Sequence, residues 1–258
     1  MLKLLLIFSI FILEINAFEI RSWNLLRISE KTVLKKDTNF IKTYVDEEYD
    51  VMCVQEVMSL NSLKHISDTK SIYYSNIKSG RKTYKEYLGW FIDARYQNVE
   101  VIDYYDTKDV FERDPSMLIL KDVNIGIINY HAIYGQKKSK KNTGNKWTYT
   151  LNEAANIPNL FKYFSMKSGI PQERLFMCGD FNLSQGKLKS KIPGMKIGNN
   201  EGSTVSTKYG YTNNDYDHII SYFDGKIAPD YKILEKFEGN FKQFKKKVSD
   251  HVPIKGIY

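Results

Sequence analysis

Met177-Cys178-Gly179-Asp180-Phe181-Asn182 closes a short apolar run and sets a carboxylate and an amide two residues apart. On extended backbone, residues i and i+2 face the same way. Asp180 and Asn182 therefore leave a strand end side by side. The first suits water or a cation, the second a phosphate oxygen. Gly179 lets another backbone come close, and a substrate is the expected visitor. Further along, Tyr216-Asp217-His218 and Ser249-Asp250-His251 each place a histidine directly after an aspartate. Upstream, Asn24, Glu56 and His131 stand at or near the ends of apolar runs. Strand ends tipped with Asn, Asp, Glu or His read as one site built along the rim of a sheet.

The runs behind those tips set the fold class. Residues 18–24 alternate apolar and polar, as a half-buried strand does. Val33, Leu34, Phe40, Ile41, Tyr44 and Val45 recur at helical spacing and predict one helix over residues 30–48. Strands are expected at 51–54, 87–92, 99–105, 117–120, 125–133, 174–178, 216–223 and 252–254. A second helix is expected over 151–166, ended by Gly169-Ile170-Pro171. Many strands with few helices predict an α/β (α+β) four-layer α/β/β/α sandwich: two packed, mostly antiparallel sheets with helices outside. The order is too irregular for a barrel of βα units.

The chain has 258 residues, 42% hydrophobic, enough for one large core. Lys3, the apolar run from Leu4 to Leu13, and Ala17 fit a secretory leader. The expected organisation is a signal peptide over 1–17 and a single catalytic domain over 18–258, secreted or periplasmic and monomeric. No second segment could span a bilayer, so stable membrane insertion of the mature chain is not expected. Removing residues 1–17 takes away Lys3 and Glu14, leaving the net charge at +8. A field of that sign attracts nucleic acid or an anionic surface. Cys53 and Cys178 lie in apolar runs and are expected as free buried thiols, although export would permit a disulfide.

Phosphodiester hydrolysis needs an activated water, a stabilised pentacovalent transition state, and a leaving oxygen that is protonated or metal-bound. Glu56 offers the hard oxygen that Mg²⁺ prefers, where imidazole is a poor ligand. Adjacent residues on extended backbone face opposite ways. Asp250 is then free for metal or support, while His251 pairs with a different carboxylate. From the residues alone, His131 can be paired with Asp217. The ordinary alternative for each histidine is a satisfied core or surface residue.

The ordered set Trp23-Asn24, Gln55-Glu56-Val57, Tyr84-Lys85-Glu86, Arg113-Asp114-Pro115, Tyr130-His131, Gly179-Asp180-Phe181-Asn182, Tyr216-Asp217-His218-Ile219 and Ser249-Asp250-His251 resembles the endonuclease/exonuclease/phosphatase superfamily, closest to its deoxyribonuclease I branch. The resemblance implies a metal-dependent phosphodiesterase using Mg²⁺, with Mn²⁺ as a substitute. It makes Glu56, Asn24 and Asp250 the metal side. His131 and His251 become the imidazole pair, oriented by Glu86 and Asp217. Asp180 then holds the nucleophile or a metal, and Asn182 contacts the phosphate. Arg113 and Tyr84 become DNA contacts. Two features depart from the pattern: Asp114 stands where glutamate is usual, and His218 where arginine is common. The cysteines do not match the disulfides of the secreted mammalian enzymes, so Ca²⁺ sites are not carried over.

The loop at 136–146 brings Lys137, Lys138, Lys140, Lys141 and Lys146, with Trp147 next to it. Lysine contacts to phosphate bind without reading sequence. The expected partner is DNA, double-stranded, cut internally with little sequence preference to leave 5′-phosphate ends. RNA cleavage is left open. Two rivals stand beside this reading: a sphingomyelinase-like or phosphoinositide phosphodiesterase of the same architecture, and a non-catalytic cationic subunit. No concentrated apolar hairpin favours the first, and the intact acid-base set argues against the second.

Overall fold

The computed structural model describes residues 17–80, 84–135, 148–199, 201–206 and 214–258. The expected leader up to residue 16, and Lys137, Lys138, Lys140, Lys141, Lys146 and Trp147, lie outside these residues. Twelve strands are described: β1 (Glu19–Ile28), β2 (Val51–Val57), β3 (Ser71–Tyr74), β4 (Tyr87–Ile92), β5 (Val99–Asp103), β6 (Ser116–Leu120), β7 (Ile125–His131), β8 (Leu175–Asp180), β9 (Lys196–Gly198), β10 (Asp217–Ser221), β11 (Lys226–Pro229) and β12 (Ile254–Ile257). They form two six-stranded sheets, ordered β11-β12-β1-β2-β4-β3 and β5-β6-β7-β8-β10-β9. Pairing is antiparallel except for β1 with β2 and β7 with β8, so the sheets are mixed with a mostly antiparallel character.

Alternation along the strands builds the layers. In β2, Val51 and Cys53 face the inner core between the sheets, while Met52 and Val54 face the outer helices. In β8, Phe176 and Cys178 point inward and Leu175 and Met177 outward. Both faces are covered, so these strands read as continuous apolar runs. Cys53 and Cys178 are free and buried.

The helices depart from the expected lengths. In place of one helix over 30–48 there are α1 (Glu30–Val33) and α2 (Thr38–Val45). Asp37 separates them, because its side chain accepts from Phe40 N and starts a new helix. The second long helix divides into α3 (Thr148–Ala155) and α4 (Ile157–Ser168), with Pro158 in the first turn of α4. A proline there lacks the N–H that a continuous helix would use. Gly169, at φ 77°, closes α4 as expected. Three short helices were not anticipated: α5 (Gln185–Lys189), α6 (Lys232–Lys236) and α7 (Phe241–Lys247). Among the described residues no helix is long and apolar enough to cross a membrane.

Each parallel pair needs a crossover, supplied by α1 and α2 in one sheet and by α3 and α4 in the other. The C-terminal ends of the parallel strands therefore share one rim. Asn24 and Glu56 sit there on β1 and β2, and His131 and Asp180 on β7 and β8. The β1–β2 register slips between Asn24 and Ile28. Leu26, Arg27 and Glu56 take positive φ of 48°, 51° and 60° across this bulge. Bulges re-aim side chains at the ends of ladders, and here the bulge turns Glu56 toward Asn24.

Candidate active site

Two braced imidazoles converge on one carboxylate. His131 Nδ1 lies 2.6 Å from Glu86 Oε1, and His131 Nε2 lies 3.7 Å from Asp180 Oδ2. From the other side, His251 Nδ1 lies 2.8 Å from Asp217 Oδ2, and its Nε2 is 3.6 Å from the same Asp180 oxygen. The pairing of His131 with Asp217, drawn from the residues alone, is therefore replaced. Asp217 lies one strand beyond β8 and meets the C-terminal segment, whereas Glu86 enters beside β4. The C-terminal segment is held by Trp23 Nε1, which donates to His251 O at 2.9 Å, and by Ser249 Oγ, which donates to Asn24 O at 2.6 Å.

These acid-base groups are all buried, which shapes their protonation. Burial pushes His251 down, but the charges of Asp217 and Asp180 outweigh it and raise the imidazole to about 10. His131 is likewise pushed down by burial and by Arg113, yet Glu86 and Asp180 leave it above its ordinary value. Burial alone would raise Glu86, but His131 and Arg113 hold it below the usual range. Asp180 is raised, chiefly by burial and also by Asp217, against the pull of the two histidines. The cluster is a carboxylate of raised basicity facing two imidazoles whose hold on a proton is strengthened.

The metal-side residues lie next to this cluster. Asn24 Nδ2 donates to Glu56 Oε1 at 3.1 Å and to Asp180 Oδ2 at 3.2 Å. Its carbonyl accepts from Leu26 N at 3.0 Å, so Asn24 bridges the carboxylates as a donor and does not face them with oxygen. Glu56 Oε2 accepts from Arg27 N at 3.0 Å. Asp250 Oδ1 is 4.0 Å from His251 Nε2, and Asp250 Oδ2 is 3.5 Å from Lys245 Nζ. Lys36, mostly buried, donates to Val248 O at 2.6 Å. Burial lowers its ammonium to about 8, against the opposing charges of Asp250 and Glu56.

Asp180, Asp217 and His251 also offer ligand atoms within 4.8 Å of one another. Asp217 and His251, however, are already bonded to each other, and imidazole is a weak ligand for Mg²⁺. That trio reads better as proton-handling machinery. Glu56 and Asp250 keep partly exposed carboxylates, the ligand type by which a hydrated hard cation is held through one or two carboxylates.

Other expected residues make contacts within the protein. Arg113 Nε lies 3.2 Å from Glu86 Oε2 and its Nη1 donates to Ala132 O at 3.3 Å, making it a brace behind His131. Asn182, at φ 50°, commits one amide hydrogen to Ala132 O at 3.0 Å. Gly179 approaches protein and not substrate: an added Cβ would stand 1.8 Å from Tyr130 O. His218 is buried, with Nε2 2.8 Å from Leu183 O, and serves the interior. Tyr84 is 56% exposed at the rim, with the Arg27 guanidinium 4.9 Å from its ring centre.

Sequence reading missed Ser203, whose hydroxyl donates to Asp217 Oδ2, and Glu153. Glu153 accepts from Tyr130 OH at 2.9 Å and from the backbone N of Glu112 and Ile133, fixing the turn after His131. A carboxylate between Thr150 and Ala154, on the buried face of α3, was the available signal for Glu153.

The fold recurs in known structures. An endonuclease/exonuclease/phosphatase family protein from Bacteroides thetaiotaomicron superposes with a TM-score of 0.59 at 14% identity, over 93% of this chain and 97% of that one. The fold is that of the endonuclease/exonuclease/phosphatase proteins. D. rerio TDP2 complexed with a single-strand DNA product matches with a TM-score of 0.56 at 12% identity, over 94% and 98% of the two chains. The human Nocturnin catalytic domain with bound sulfate matches at 0.54 and 13%, over 93% of each. No protein-family model and no curated protein matches the sequence.

Proposed function

We propose that the chain is an exported, divalent-metal-dependent endonuclease that hydrolyses DNA phosphodiester bonds with little sequence specificity and leaves 5′-phosphate ends. The observation that carries this reading is the meeting of His131 and His251 at Asp180 Oδ2, each imidazole braced at Nδ1 by its own carboxylate. The DNA product held by the TDP2 relative supports the choice of substrate, as does a net charge of +8. The leader-like N-terminus supports export.

In this mechanism Asp180 takes the proton from the attacking water. The water oxygen bonds to phosphorus and the bond to the 3′ oxygen breaks. The imidazoles stabilise the added charge on the phosphate, and one of them gives its proton to the departing oxygen. Glu86 and Asp217 keep both rings aimed with Nε2 outward. Asn24, donating to Glu56 and Asp180, holds the two carboxylates at a fixed spacing. Glu56 and Asp250 would hold a Mg²⁺ ion, which when bound supplies Lewis-acid polarisation of a phosphate oxygen.

The test is incubation of purified protein with supercoiled plasmid, RNA, sphingomyelin and a phosphoinositide, each with Mg²⁺ or chelator. Plasmid nicking that needs the cation is expected. Cleavage of lipid without cleavage of DNA would overturn the substrate assignment.

A further inference from the structure

We infer that the basic pocket where α2 meets α7 is a second phosphate subsite, which holds a backbone phosphate of a nucleic-acid strand beside the bond being cut. This rests on the nuclease reading and extends it to the path of the strand.

The cavity, of about 350 Å³, is lined by Lys35, Lys36, Asp37, Thr38 and Asn39 on one side and Lys247 on the other. Two hydrogen bonds lock its walls together: Asp37 N donates to Lys247 O at 2.8 Å, and Lys36 Nζ donates to Val248 O at 2.6 Å. Its position joins it to the catalytic centre. Val248 is two residues before Asp250, and the carboxylates of Asp250 and Glu56 both act on the Lys36 ammonium. A strand whose scissile phosphate lies at His131 and His251 must leave the site past some wall, and this wall is positive.

Lys35 and Lys247 are exposed, as is neighbouring Lys246, and among the described residues none of the three has an ionic partner. The pocket's one acid, Asp37, is occupied as the cap of α2, accepting from Phe40 N at 3.1 Å. Thr38 and Asn39 add neutral donors. Ammonium groups around a cavity, with the one carboxylate among them engaged as a helix cap, match the negative backbone of a strand and do not discriminate its bases.

The experiment compares the full chain with the double variant Lys35→Gln/Lys247→Gln. Its control is Lys167→Gln/Lys226→Gln, the same charge change at the opposite rim. Cleavage of a ten-nucleotide single strand and of plasmid is measured with Mg²⁺ across a salt series. The pocket variant should lose about tenfold in kcat/KM, through KM, with a salt dependence shallower by about one unit for each phosphate no longer held. The control variant should stay within about twofold of wild type. The single variants, each changing one exposed side chain, keep the test open if the double variant does not fold.

Equal losses in both double variants, or none in either, would overturn the subsite. A wild-type chain that cuts nucleic acid while the pocket variant matches it overturns the subsite alone. A wild-type chain that cuts no nucleic acid overturns the nuclease reading with it. Loss of binding to phosphatidylserine vesicles, with strand cleavage intact, would give the pocket and its exposed Leu34 to a lipid surface instead.

Discussion

Gln55 on β2 donates a 2.7 Å hydrogen bond to Asn129 on β7, tying the two sheets together through the interior between them. Asn129 in turn donates to Val54 O at 3.1 Å and Gly89 O at 2.8 Å. Gln55 precedes Glu56, and Asn129 stands two residues before His131, so this link sets one half of the site against the other. Replacing Asn129 with leucine strands buried polar groups. The variant should lose about 2–4 kcal/mol of stability, read as a lower urea midpoint at unchanged slope. A loss under about 0.5 kcal/mol would show that the link is dispensable.

Gly179 is required by the spacing of β7 and β8. With φ at 152° and Tyr130 O 1.8 Å from an added Cβ, Gly179→Ala forces the backbones apart directly below Asp180. A destabilisation of more than about 3 kcal/mol is expected, because the neighbouring atoms belong to backbone and not to a flexible side-chain end. A Gly179→Ala chain that melts with wild type would disprove the close approach.

Arg113 separates two readings by its kinetics. As a brace on Glu86, its replacement by glutamine should lower kcat by about 10–100-fold, with KM and salt dependence nearly unchanged. A raised KM, intact kcat and a shallower salt dependence would instead restore the phosphate contact expected from sequence.

The protons on the histidines carry a pH signature. In metal-free protein His251 is raised from 6.5 to about 10. The stability this proton contributes is fully present below the unfolded value and is lost as pH rises through the folded one. The urea midpoint of the chelated chain should therefore fall between about pH 7 and 10. Nitrogen-15 spectra of the imidazole should show the titration directly, moving to lower pH when Mg²⁺ binds nearby. A metal-free titration near 6.5 would contradict the burial beside Asp217 and Asp180.

Much of the architecture was legible because strand alternation is local. The strand Tyr87–Ile92 appears as read, and Glu56, His131 and Asp180 do stand at strand ends, whereas Asn24 lies within β1 and His251 precedes β12. What escaped was decided by weaker or distant forces. The helix breaks at Asp37 and Asn156 are capping and proline events inside otherwise periodic stretches. β3, β9 and β11 have three or four residues each, too few to show a period. Residue chemistry alone mispaired His131 with Asp217, because the true pairs lie 34 and 45 residues apart and follow the order of strands in the sheets, whereas the family resemblance paired both histidines as the structure does. The bonding of Arg113 to Glu86 was hidden for the same reason. Gly179 was read correctly as a close approach but assigned the wrong visitor.

That His131 and His251, which meet at Asp180, act together on one phosphodiester is the central proposal, and plasmid relaxation tests it most directly. Wild-type protein with Mg²⁺ should nick and linearise supercoiled DNA, leaving 5′-phosphate ends. His131→Ala and His251→Ala should each fall by about 10²–10⁴-fold, and chelator should abolish cutting. Nicking that continues at the wild-type rate in either variant would contradict it.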